Sequence, residues 1–115
     1  MNYHFVWCPK YRKPVLVDTI EFRLKSLIER KANELGCKIL ALEVMPDHVH
    51  LFIQANPLLA PNSIVGALKG YTSHELRKEF PMLKSRLPTL WSRSYFVSTH
   101  GHVSSETIQK YVEEQ

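Results

Sequence analysis

Two apolar stretches, Lys38–Met45 and His48–Gln54, are separated only by Pro46-Asp47, and this arrangement constrains the fold more than any other feature. Proline offers no N–H and aspartate caps its own backbone, so the dipeptide reads as a turn joining two antiparallel strands. An isolated hairpin is marginal in water, so neighbouring segments must cover one of its faces. On the N-terminal side, Asp18 with Glu21 forms a capping-box-like start, and Ile20, Leu24, Leu27, Ile28 and Leu35 recur at helical spacing until Gly36. On the C-terminal side, Pro61-Asn62-Ser63 opens a second helix whose apolar face is Ile64, Val65, Leu68, Tyr71, Leu76 and Phe80, ended by Pro81.

Outside these lie a strand from Tyr3 to Cys8, stopped by Pro9, and a short strand from Tyr95 to Thr99. Ser104-Ser105-Glu106 then opens a last helix carrying Ile108, Tyr111, Val112 and Gln115. The order β-α-β-β-α-β plus a C-terminal helix predicts an α+β, ferredoxin-like (RRM-like) antiparallel sheet with two helices on one face and the other face open. A single domain spanning 1–115 is expected, with a core of 1–100 and the terminal helix at about 104–115. Hydrophobic residues make up 44% of the chain, enough for a packed core, and the net charge of +4 leans toward an anionic partner. Cys8 and Cys37 are isolated from each other, which excludes a disulfide framework or thiolate zinc site. With no charged-then-apolar leader and no long apolar run, a soluble protein of a reducing cytoplasm is expected.

His48-Val49-His50 carries the most informative chemistry, because alternation along a strand turns both imidazoles to one face and Val49 to the other. Such a pair can converge on one divalent ion. Taken alone, a His-x-His is more often two partly exposed histidines on a half-buried strand. Asp47, one residue earlier, should point to the opposite face and serve the turn. Tyr111 and Gln115 lie four apart on the last helix and share a face, although the same spacing also fits a core tyrosine and a frayed helix end.

Several separate motifs, in order, give these signals a joint meaning. Phe5-Val6-Trp7-Cys8-Pro9-Lys10-Tyr11-Arg12, Met45-Pro46-Asp47-His48-Val49-His50-Leu51, Ile64 to Tyr71, Leu90 to Phe96 and Glu106 to Gln115 together resemble the single-tyrosine HUH transposases of the insertion-sequence 200/605 group, through nearly the whole chain. The resemblance implies that His48, His50 and Gln115 hold a divalent metal, Mg2+ or Mn2+, and that Tyr111 is the nucleophile forming a 5'-phosphotyrosine. It implies a substrate of single-stranded DNA with hairpins at the element's ends, and a homodimer whose tyrosine helix can complete the partner's histidine site. Cations interleaved with aromatics suit single-stranded DNA, and Lys10, Tyr11, Arg12, Lys13, Lys69, Tyr71, Trp91 and Arg93 offer that mixture.

One stretch departs from the family. The tyrosine helix is commonly preceded by paired glycines, whereas this chain reads His100-Gly101-His102-Val103, which puts movement of that helix between subunits in question. His100 and His102 form a second His-x-His without an acidic or sulfur partner at ligand spacing. Two competing readings remain: a domesticated relative acting on chromosomal repeat hairpins, and a non-catalytic nucleic-acid-binding module of RNA-recognition type.

Overall fold

The computed structural model describes residues 1–115. Strand β1 (Asn2–Trp7) leads through a 3-10 turn (Lys10–Arg12) to helix α1 (Asp18–Glu34), then to strands β2 (Lys38–Met45) and β3 (His48–Gln54). Helices α2 (Pro61–Glu79) and α3 (Pro81–Arg86), strand β4 (Phe96–Ser98) and helix α4 (Ser105–Glu113) complete the chain. All strand pairs are antiparallel, and the sheet order is β2-β3-β1-β4. This is the expected ferredoxin-like arrangement. No helix is long and apolar enough to cross a membrane.

Strand alternation sorts the residues onto two faces. Tyr3, Phe5 and Trp7 of β1 join Val49, Leu51 and Ile53 of β3 beneath α1 and α2, in a 24-residue apolar cluster. Helix α1 supplies Ile20, Leu24, Leu27, Ile28 and Ala32, and α2 supplies Ile64, Val65, Leu68, Thr72 and Leu76. Gly36, at φ +73°, ends α1 in a backbone state that costs other residues more. The two helices are tied by Arg23, whose Nε donates to both carboxylate oxygens of Glu79 at 2.9 and 2.8 Å.

Three local expectations need correction. Val17, not Asp18, is the N-cap of α1, and no side chain caps that end; Asp18 takes the first helical position at φ +54°. Pro81 does end α2, but it also starts α3, because the first helical position has no use for the missing N–H. Strand β4 is shorter at both ends than Tyr95–Thr99, and it pairs only three residues of β1.

The second sheet face carries His4, Val6, His48, His50 and Phe52, by the same alternation. Helix α4 lies across one end of it. Val112 is buried there with Val6 and Cys8, flanked by Phe96, Ile108 and Tyr111, in a small cluster separate from the main core. Ser104 caps α4 by accepting a hydrogen bond from the Thr107 N–H at 3.1 Å.

Candidate functional site

The Pro46-Asp47 turn does more than reverse the chain. Asp47 Oδ1 lies 2.9 Å from His48 Nδ1, which corrects the expectation that it points away; a turn residue is not bound by strand alternation. A carboxylate accepts, so His48 donates from Nδ1, which makes Nε2 the nitrogen left for a ligand. That is the arrangement in which a carboxylate orients a metal-binding imidazole.

His50 has a different neighbour. Its Nε2 lies 3.0 Å from Nδ1 of His4, which stands on the adjacent strand, 6% exposed and stacked on Phe52 with ring centroids 4.1 Å apart. Burial, with the nearby His4 and His48 rings, holds the His50 pKa below its usual 6.5 although Glu43 opposes the shift. His50 therefore stays neutral, the form that ligates a metal. The sequence reading missed His4, because one histidine inside the apolar run Tyr3–Trp7 has no partner until the strand register is known.

The other half of the site is carried by α4 and the segment before β4. Ser94 Oγ donates to Gln115 Oε1 at 2.7 Å, which uses its single proton, so Tyr111 Oη donates to Ser94 Oγ at 2.8 Å. Gln115 Nε2 donates to the Tyr111 carbonyl at 3.1 Å. Burial raises the Tyr111 pKa above 10 and the nearby Cys8, once ionised, adds to the rise; the Ser94 hydroxyl opposes it by turning to donate to the phenolate when the phenol's proton is lost. Lys69 Nζ holds the segment in place by donating to the carbonyls of Ser92 at 2.7 Å and Ser94 at 3.1 Å.

Arg12 joins the halves. Its Nη1 donates to the Val112 carbonyl at 3.3 Å, and its Nε lies 3.7 Å from Asp47 Oδ2. Tyr11 and Arg12 both adopt positive φ, +59° and +53°, a conformation that costs non-glycine residues and clusters at functional sites. The chain of contacts thus runs from α4 through Arg12 and Asp47 to His48. No hydrogen bond within the chain joins Tyr111 or Gln115 to His48 or His50.

The candidate DNA-contacting residues divide. Lys10, Tyr11, Lys69 and Arg93 line one open groove with Ser73 and Ser92, and Lys10 Nζ sits 5.4 Å from the Tyr11 ring centroid. Trp91 contributes only an edge to its wall. It is 5% exposed, stands edge-on to Trp7 and donates Nε1–H to Thr72 Oγ1 at 3.0 Å, so it is a core aromatic and offers no free face to a base. Tyr71 packs against the main core with Lys31 above its ring, and Lys13 lies in a separate hollow beside Val15, Arg86 and Leu87. Arg12 is committed to the clamp described above.

His100 and His102 are exposed, and no three His, Cys, Asp or Glu residues form a metal-holding group. Between β4 and α4 no residue has positive φ, Gly101 included, so His102 sits there without backbone strain.

The family described as "Transposase IS200 like" matches residues 1–115. The chain belongs to this family. Among IS200-like transposases it is 39% identical to the ISDra2 transposase TnpA of Deinococcus radiodurans, over 100% of this chain and 84% of that protein. It is 30% identical to the transposase for insertion sequence element IS200 of Salmonella typhimurium, over 99% of this chain and 76% of that one. The crystal structure of a candidate transposase from Deinococcus radiodurans R1 superposes with a TM-score of 0.92 at 39% identity, covering all of this chain and 90% of the other. A REP-associated tyrosine transposase bound to a REP hairpin shares the fold, with a TM-score of 0.63 at 17% identity over 97% of this chain and 62% of that one. As a member of this family, the chain acts in the transposition of DNA.

Proposed function

We propose that this IS200-like transposase cuts and rejoins single-stranded DNA through a 5'-phosphotyrosine on Tyr111, with Mg2+ or Mn2+ held by His48, His50 and Gln115. The observation that carries the reading is the state of the paired imidazoles. Both lie on the sheet face away from the main core; Asp47 takes the His48 Nδ1–H and leaves Nε2 as that ring's ligand atom, and burial lowers the His50 pKa, which favours the uncharged ring. Two neutral nitrogens and an amide oxygen suit a divalent ion. They do not cancel its charge, and the ion, when bound, supplies a Lewis acid for the scissile phosphate.

The remaining chemistry belongs to the chain. Tyr111 Oη attacks phosphorus and gives up its proton to solvent as the P–O3' bond breaks, and the departing 3'-oxygen takes up a proton and leaves as a hydroxyl, so that protons balance. The reverse attack by a 3'-hydroxyl rejoins a strand, so the phosphodiester energy is conserved in the tyrosyl ester. Tyr111 begins protonated, since its pKa is raised, and its proton points at Ser94. Gln115 must exchange the Ser94 hydroxyl for the ion. A shift of α4 toward a histidine pair, in its own subunit or across a homodimer, would meet both requirements. The groove offers Lys10 and Arg93 as charge and Tyr11 as one exposed ring for the strand, while Lys69, committed to the Ser92 and Ser94 carbonyls, braces its wall. Hairpins at the element's ends are the proposed recognition feature, and the bacterial cytoplasm is the proposed setting.

The test incubates the chain with end-labelled single-stranded hairpin DNA and Mn2+ and looks for a denaturant-resistant adduct. Adduct formation that is lost in Tyr111→Phe, in His48→Ala and on chelation supports the proposal. Binding without any adduct would favour a non-catalytic module, and persistence in Tyr111→Phe would reassign the nucleophile.

A further inference from the structure

The terminal helix offers the reaction two oxygens, and one hydroxyl occupies both of them. Tyr111 Oη donates to Ser94 Oγ at 2.8 Å, and Ser94 Oγ donates to Gln115 Oε1 at 2.7 Å. The amide's orientation is settled at its other end: Gln115 Nε2 donates at 3.1 Å to the Tyr111 carbonyl, which can only accept, so Oε1 is the atom turned to Ser94. The two atoms met by Ser94 are therefore the oxygen that attacks and the oxygen offered to the ion. Beyond its own N-cap, the segment 105–115 is tied to the rest of the chain by three side-chain hydrogen bonds, one from Arg12 and these two at Ser94.

We propose that Ser94 is a positioning residue that works against the reaction: its hydroxyl parks Tyr111 and Gln115 together, and release from it sets how often the pair reaches a histidine site. The inference rests on the nucleophile and ligand roles proposed above and adds a residue to them. Ser94 suits the task because its own place is fixed from the body of the domain and not from α4. Lys69 of α2 donates Nζ to the carbonyls of Ser92 at 2.7 Å and Ser94 at 3.1 Å, and the Ser92 N–H donates to the Cys8 carbonyl at 2.9 Å. The hydroxyl therefore stays behind when the helix moves. Ser94 is exposed and belongs to neither apolar cluster, so its contribution to holding α4 is the two hydrogen bonds and no packing. A chain that must expose both oxygens to react has to break both bonds first, and the fraction of molecules that have done so limits the rate.

Two substitutions separate the hydroxyl from the rest of the residue. Ser94→Ala removes both bonds at an exposed position and leaves the core intact; Ser94→Thr keeps the hydroxyl. Wild type, both Ser94 variants and Tyr111→Phe are compared in two assays. Native-state hydrogen exchange of the Ile108 to Val112 amides, without metal or DNA, reads release of the helix. Single-turnover formation of the covalent adduct, with end-labelled single-stranded hairpin DNA and Mn2+, reads the reaction.

Losing two hydrogen bonds should raise the released population roughly 5- to 30-fold. Ser94→Ala should speed both α4 exchange and adduct formation by that factor, and Ser94→Thr should stay close to wild type in each. A serine that instead aligned the tyrosine for attack would give the opposite sign, a slower adduct. Slower or unchanged adduct formation in Ser94→Ala, unchanged exchange in its α4, or a Ser94→Thr variant as fast as Ser94→Ala would each overturn the assignment while leaving the nucleophile standing. No adduct in wild type, or an adduct that persists in Tyr111→Phe, would instead remove the reading beneath it, and this proposal with it.

Discussion

Val112→Ala should loosen the tyrosine helix without loosening the domain. Val112 is 2% exposed and packs on Val6 and Cys8, in a cluster separate from the main core. Helix α4 has only nine residues, too few to be stable by itself, so docking holds it. Removing two carbons from a buried site costs about 1.6 kcal/mol at ~0.8 kcal/mol per carbon, before any cavity term. At ~1.4 kcal/mol per tenfold, the undocked population rises roughly 10- to 20-fold. Native-state hydrogen exchange reads this directly. The amides of Ile108 to Val112 should exchange faster by that factor, while those of Phe5 and Leu51 in the central strands keep their wild-type rates. Equal acceleration of the central strands would show that α4 and the main core open as one unit, and no acceleration in α4 would show that Val112 does not hold it; either result refutes the reasoning.

Thr72→Val keeps the shape of a fully buried residue but strips the acceptor from Trp91 Nε1; urea unfolding should show a loss of about 1–3 kcal/mol, the cost of an unpaired buried donor. Cys8, buried and with its pKa pushed up to about 11, should resist iodoacetamide at neutral pH until denaturant is added, because the thiolate is the reacting form. Tyr111, whose pKa burial raises above 10, should ionise later in the folded protein than in the unfolded chain. Above pH 10 the unfolded state has then lost more protons, so this group's contribution to stability is intact below that value and is lost as pH climbs through the folded pKa. Difference absorbance of wild type against Tyr111→Phe should place that phenol's titration above 10.

Much of this was readable in the sequence, because the strands around the Pro46-Asp47 turn and the two long helices obey simple periodicities. Both hairpin strands have the limits their patterning suggests. The failures have local causes. Pro81 was legible as a stop but not as a start, since the same chemistry serves both. Trp91 looks like a surface platform in sequence, and only its bond to Thr72 and its packing against Trp7 show it to be core. His4, Ser94 and the Arg12 clamp depend on partners 46, 17 and 100 residues away, distances that no local pattern encodes. Asp47 was misassigned because alternation was extended one residue into a turn, where it no longer applies.

The most direct measurement is the identity of the amino acid joined to DNA. After reaction with a single-stranded substrate and Mn2+, nuclease trimming and tryptic cleavage following Lys110 free Tyr111 as the first residue of its peptide. Mass spectrometry should find a 5'-nucleotide on that tyrosine, and none when His48 is replaced by alanine. A nucleotide on Tyr11, Tyr71 or Tyr95, or cut DNA with no protein-linked nucleotide, would contradict the account.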